Sequence, residues 1–137
     1  MSDTAKKKRP QYRNLSVPQL LSYRLPNSAN ASILHRISGG LLFLALPVLI
    51  LPLLAMSLSS AAGFAALSQV VANPIVKLVL LALIWGYLHH FCAGIRFLAL
   101  DLGKGGDKYT ANKSALSVIV IALALTAVFA LKLFGVF

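Results

Sequence analysis

Three long apolar stretches constrain this chain more than any other feature. They run from about Ser32 to Met56, from about Ile75 to Leu100 and from about Leu116 to Leu133. Each is near the roughly 20 residues needed to cross the hydrocarbon core of a bilayer. Backbone groups in lipid must be paired within the protein, so the stretches are expected to be helices. The fold class that follows is all-α and integral to a membrane, with three transmembrane helices. The chain is 58% hydrophobic and 12% charged, about half the charge of a soluble domain. It divides into a basic arm over residues 1–31 and one membrane domain over residues 32–137.

A formal net charge of +10 in a soluble protein would point to nucleic acid. Here the basic residues flank the spans, and no basic patch interleaves with aromatics, so nucleic-acid binding is not expected. Lys6, Lys7, Lys8, Arg9, Arg13, Arg24 and Arg36 precede the first span or lie at its start. Arg96, Lys104, Lys108 and Lys113 surround the second loop, and only Lys77 and Lys132 fall on the opposite side. The positive-inside rule then places the N-terminus and the second loop in the cytoplasm and the C-terminus in the periplasm. The basic N-terminus has no apolar segment behind it, as a cleaved signal peptide would. Asp3 and the lack of an Arg/Ser-rich amphipathic pattern argue against a mitochondrial transit peptide. The expected location is a bacterial inner (cytoplasmic) membrane, crossed several times. Cys92 is the only cysteine, so the chain forms no internal disulfide and offers no Cys pair for zinc or an iron–sulfur cluster.

Ser16-x-x-Gln19 has the form of a capping box and predicts a short helix over Val17–Tyr23, ended by Pro26. The alternative is an irregular arm. Pro47 and Pro52 are expected to bend the outer half of the first helix. Phe64, Leu67 and Val71 recur at helical spacing in the outer loop Ser57–Asn73, as in an interfacial helix. Gly103, Gly105 and Gly106 end the second helix and open a short turn.

Two polar clusters interrupt the apolar background, and ionisable groups there are costly unless something polar engages them. In the second span, Gly86, His90 and Gly94 recur every four residues and share one face. Glycines one turn above and below a histidine leave room for a flat macrocycle, whose iron the histidine would bind axially. Tight helix packing through small residues, with His90 hydrogen-bonded across the interface, fits the same spacing. His89 points about 100° away, on a face with Ala93 and Arg96, and is expected to make a polar contact with a neighbouring helix. Arg96 either snorkels or meets an anionic group. Asp101 closes the helix and is expected to form a structural ion pair with Arg36 or Arg96.

The other cluster is Ser32-Ile33-Leu34-His35-Arg36-Ile37-Ser38-Gly39. Counted from the span boundaries, His35 lies about 5 Å in and His90 about 15 Å in, a difference of roughly 10 Å in depth. The two are poorly placed to bind one iron from both sides. A haem on His90 would instead direct its propionates towards His35 and Arg36, and a second axial ligand would come from another chain. Ser32 and Arg36, one turn apart, suit a quinone carbonyl oxygen, with Arg36 stabilising charge on reduction. Equally, Ser32 can bond back within its helix and Arg36 can bind lipid phosphate.

Taken together, Arg9-Pro10, Ser32-x-x-His35-Arg36-x-Ser38-Gly39 and His90-x-x-x-Gly94-Ile95-Arg96-x-x-x-x-Asp101 resemble the cytochrome b membrane anchor, the larger of the two anchors, of succinate dehydrogenase. The resemblance runs from about Arg9 to Gly103. It implies a complex with a flavoprotein subunit, an iron–sulfur subunit and a second small membrane anchor. Electrons from succinate would pass through the iron–sulfur subunit to ubiquinone. It implies that Ser32 and Arg36 bind quinone, that His90 is an axial ligand of haem b, and that His35 lies near a haem propionate. The other axial histidine would belong to the second anchor. Such a chain is not catalytic alone. Phe97 stands where many members have histidine, and Gln11 and Leu100 also depart from the usual residue types; none of these is the ligand position. Two other readings remain at this point: the anchor of a fumarate reductase, and a non-redox accessory subunit of a membrane complex.

Overall fold

A computed structural model describes residues 16–136. The order of elements is α1 (Val17–Ser22), α2 (Asn27–Ala45), a π-helical turn (Leu46–Ile50), α3 (Leu51–Ser59), α4 (Ala61–Ala72), α5 (Pro74–Asp101) and α6 (Lys108–Leu133). No strand occurs among the described residues. The first of the three spanning helices is continuous from Asn27 to Ser59 through the π turn, and α5 and α6 are the other two. At 33, 28 and 26 residues, all three exceed the hydrocarbon thickness when straight, so their ends extend into the interface or the helices tilt.

The helices extend beyond the expected apolar boundaries. The first begins five residues before Ser32 and the third eight before Leu116, because polar residues outside the hydrocarbon continue a helix once it is capped. Asp107 caps α6 by accepting the Thr110 amide at 3.0 Å. Asn73 caps α5 by accepting the Ile75 amide at 2.8 Å, with Pro74 at the first helical position. Gln19 Oε1 accepts the Ser16 amide at 2.9 Å, one arm of the expected capping box, and α1 forms one residue shorter than read. The basic residues Lys6 to Arg13 lie outside the described residues. Gly103 ends α5 with φ +73°. Its amide bonds the Leu100 carbonyl at 2.9 Å and the Lys104 amide bonds the Ala99 carbonyl at 3.0 Å, a Schellman motif.

The two prolines interrupt the regular hydrogen-bond ladder of the first span. Pro47 and Pro52 lack amide hydrogens, so the i to i−4 ladder cannot run through them. The Leu51 amide instead bonds the Leu46 carbonyl, five residues back, and one wide turn is inserted. The loop between the first two spans carries the expected helix, α4, capped by Ser60 accepting the Gly63 amide at 3.0 Å.

Helices α2, α5 and α6 pack against one another. Their buried apolar residues are small: Ala31, Ala93, Ala115, Ala122 and Val118. Large apolar side chains such as Phe43, Val48, Tyr87 and Leu98 face outward. This is the pattern of helices that approach closely in lipid, where burying large hydrocarbon gains little. A polar tie joins the start of α2 to α6, where the Ser28 amide meets Asn112 Oδ1 at 3.3 Å.

Candidate functional site

The site is built where α2 crosses α5. His90 projects from α5 onto the backbone of α2, and its Nδ1 lies 3.0 Å from the His35 carbonyl oxygen and 3.3 Å from Ser38 Oγ. Ser38 Oγ donates to the same carbonyl at 3.0 Å. A carbonyl can only accept, so the shorter contact selects the tautomer with the proton on Nδ1. Nε2 then carries the lone pair, and no hydrogen bond to it occurs among the described residues. A ring fixed through one nitrogen with the other left basic is the usual state of a metal-binding histidine.

Close approach of the two helices is what permits this. A Cβ on Gly39 would lie 2.8 Å from Cε1 of His90, so any side chain there would displace the ring. Gly86 and Gly94 face α2 as well, with Ser38 Cβ and His35 Nε2 each 3.9 Å from where their Cβ atoms would be. These two glycines therefore make room for α2 within the chain. The open slot for a macrocycle expected from their spacing is not formed by them.

The expected depth offset between His35 and His90 is also corrected. The rings stack with centroids 4.1 Å apart and planes 8° from parallel. The physical reason is the earlier start of α2: His35 is eight residues into that helix, about 12 Å, rather than about 5 Å. The conclusion that the pair does not clamp one iron survives on different grounds. Stacked rings present their faces to each other, whereas trans axial ligands point their nitrogens at a shared centre. Phe97 also packs against His35, with ring centroids 5.1 Å apart and planes tilted by 54°.

Ser32 and Arg36 lie on successive turns of α2, Ser32 half-buried and Arg36 exposed. Neither side chain makes a hydrogen bond or ion pair among the described residues, so the back-bonded form of Ser32 is not adopted. A hydroxyl and a guanidinium one turn apart, uncommitted and next to His35, can both donate to one oxygen of a ligand.

The remaining polar residues of α5 behave differently from expectation. His89 is fully buried, on the inward face with Gly86, Ala93 and Arg96. It stacks on Trp85 at 5.5 Å, and both of its ring nitrogens lack a hydrogen-bond partner, as does Trp85 Nε1. The expected polar contact with a neighbouring helix is not made as a hydrogen bond. Arg96 is 8% exposed and bonded to α6: Nε donates to Ser114 Oγ and Nη2 to the Ala111 carbonyl, both at 2.9 Å. Asp101 is exposed at the end of α5, and no ion pair of Arg96 or Arg36 with it occurs among the described residues. Ser114 lies 18 residues beyond Arg96, so nothing local in the chain marked it as a partner. Ser38 and Gly39 were marked only as members of the motif that carries the family resemblance.

Comparison with known proteins bears on what this crossing is for. Residues 6–129 match the family described as succinate dehydrogenase/fumarate reductase transmembrane subunit. A succinate dehydrogenase cytochrome b556 subunit from Paracoccus denitrificans is 36% identical over 120 residues, covering 88% of this chain and 91% of the relative. The protein of that name from Coxiella burnetii is 38% identical over 104 residues, covering 75% and 82%. That from Rickettsia felis is 32% identical over 116 residues, covering 80% and 84%. With nearly its whole length matched and three helices that can span a bilayer, this chain belongs to the succinate dehydrogenase/fumarate reductase transmembrane subunit family.

Proposed function

We propose that the chain is the cytochrome b556 anchor of a bacterial succinate dehydrogenase. In this reading it holds one haem b together with a second small anchor subunit, forms part of the ubiquinone-reduction site, and binds the iron–sulfur and flavoprotein subunits to the inner membrane. The observation that carries the proposal is the fixed tautomer of His90, whose Nδ1 is engaged by the His35 carbonyl. His90 Nε2 is the atom that would hold the haem, and Gly39 supplies the space in which the ring sits. His35, stacked on His90, is the residue assigned to a propionate. When bound, the haem supplies a one-electron centre inside the membrane.

Ser32 and Arg36 are assigned to the quinone. The Ser32 hydroxyl donates to a carbonyl oxygen of the ring and holds it in place. The Arg36 guanidinium lowers the energy of negative charge gathering on that oxygen as electrons arrive from the iron–sulfur subunit. Being permanently charged, Arg36 does this without giving up a proton. The basic residues of the N-terminal arm and the second loop then face the cytoplasm.

Two experiments test this reading. His90→Ala should lose haem from the purified complex, measured as pyridine haemochrome, while His89→Ala retains it. Normal haem in His90→Ala with loss in His89→Ala would reverse the assignment. A reporter fused to the C-terminus should give a periplasmic signal, and a cytoplasmic one would overturn the orientation.

A further inference from the structure

A groove of about 500 Å³ opens between α5 and α6, on the side of α5 away from the His90 crossing. Its two ends differ in chemistry. At the end nearest the Gly103 turn it is lined by Arg96, Lys104, Thr110 and Ser114, and farther along by Ser117 and apolar side chains such as Ile95 and Ile121. Neither Asp101 nor Asp107 lines it. Asp107 is occupied with the Thr110 amide.

Arg96 is the unusual element. The residue is only 8% exposed, its guanidinium lies over the Phe97 ring at 5.4 Å, and its two hydrogen bonds go to neutral acceptors, the Ser114 hydroxyl and the Ala111 carbonyl. Its third nitrogen, Nη1, makes no hydrogen bond among the described residues. A buried cation without an anionic partner is costly, and the cost falls if an anion enters the groove. Lys104 is exposed at the rim and adds a second positive charge. Because the end of α5 and the start of α6 meet at the membrane boundary, the abundant anion at this level is a lipid phosphate.

We infer that this groove is a binding site for an anionic phospholipid. The phosphate sits between Arg96 and Lys104, and an acyl chain follows the apolar part of the groove. A polar head joined to an apolar tail matches the gradient along the groove, and charge complementarity selects an anionic head over a zwitterionic one. The site is independent of the haem and quinone assignments, since it uses no residue of the α2–α5 crossing.

The test uses the assembled complex, delipidated and reconstituted in nanodiscs containing phosphatidylethanolamine in excess over phosphatidylglycerol. Bound lipid is then counted by headgroup in native mass spectrometry. The parent should retain phosphatidylglycerol beyond its share of the supply. Lys104→Gln, a change at an exposed turn, should reduce that excess about fivefold, the size expected for one basic side chain near an anionic surface. Retention of phosphatidylethanolamine should stay as in the parent. Ala99→Trp fills the groove without changing charge and should reduce retention of both lipids. A photo-crosslinker at Ser117 should label lipid. Retention in proportion to supply by the parent, an unchanged excess in Lys104→Gln, or crosslinking of Ser117 to a polypeptide would each overturn the inference.

Discussion

The two halves of the α2–α5 contact are held by different forces. Near the Ser32–Gly39 end, the helices touch through glycine and serine, and His90 is hydrogen-bonded to the opposing backbone. Beyond α2 the first span leaves α5; an apolar groove of about 590 Å³ runs along the contact from Leu34 to Leu49, and a second of about 650 Å³ opens from Leu42 onward. The π turn and both prolines lie in the divergent half. Directional polar contacts fix one geometry, because a misplaced donor leaves a buried group unpaired. Apolar surface in lipid imposes no such selection, since a lipid tail replaces a side chain at little cost. The half that carries His35 and His90 is thus specified from within the chain. The other half is left to be filled by lipid or by a neighbouring subunit.

The sharpest way to break this contrast is to remove the functional groups of the specified half. Arg36→Leu should lower succinate–quinone activity by roughly 100-fold, the usual cost of losing a hydrogen bond to an oxygen that gains charge. Ser32→Ala should have the same direction and a smaller size. Succinate oxidation by an artificial dye, which takes electrons upstream, should be unaffected in both. If both variants keep haem and all subunits and still reduce ubiquinone at the parental rate, the cluster is structural.

A second comparison sets one residue from each half side by side. Gly39→Leu forces a side chain into the position of the His90 ring, and overpacking of this kind costs about 1–3 kcal/mol. Haem content and thermal stability of the complex should both fall. Pro47→Leu should leave haem content within error of the parent, because nothing in the divergent half contacts His90. Equal haem loss in the two variants would erase the distinction.

The smallest effect belongs to the cap of α6. The Thr110 side chain and then its amide hold the Asp107 carboxyl below its ordinary pKa of 3.8. A depressed carboxyl contributes stability above its unfolded value and loses it as pH falls through the folded one. The contribution should therefore be complete at neutral pH and begin to be lost only as pH falls below about 4, and Asp107→Asn should flatten that acid limb. A melting temperature that falls equally with acid in both proteins would assign the acid sensitivity to other carboxyls.

Much of this was legible in the chain. Three apolar runs define the spanning helices, and Gly103 at the α5 terminus was readable as a breaker. The identity of the site residues was legible only through motif resemblance, since the Gly86/His90/Gly94 spacing fits both a macrocycle and plain helix packing, and within the chain those glycines serve packing. Depth was misjudged because hydrophobicity marks where lipid begins, not where a helix begins. Asn27–Ala31 are polar or small yet helical, and five residues there shift every later estimate. The partners of Arg96 were not legible at all, because an arginine on one helix says nothing about which carbonyl of another will meet it.

The π turn has a further consequence for how the first span meets its surroundings. One extra residue in a helix rotates everything after it by about 100°. Residues at Ile37 and Leu41 and those after Ile50 thus belong to two different angular phases of one rod. A heptad or small-xxx-small pattern followed along the whole span would slip out of phase at Leu46. Neighbours recognised by α2 and by α3 are consequently chosen separately, and single-residue length changes within Leu46–Ile50 would re-aim the outer segment while leaving the histidine crossing untouched.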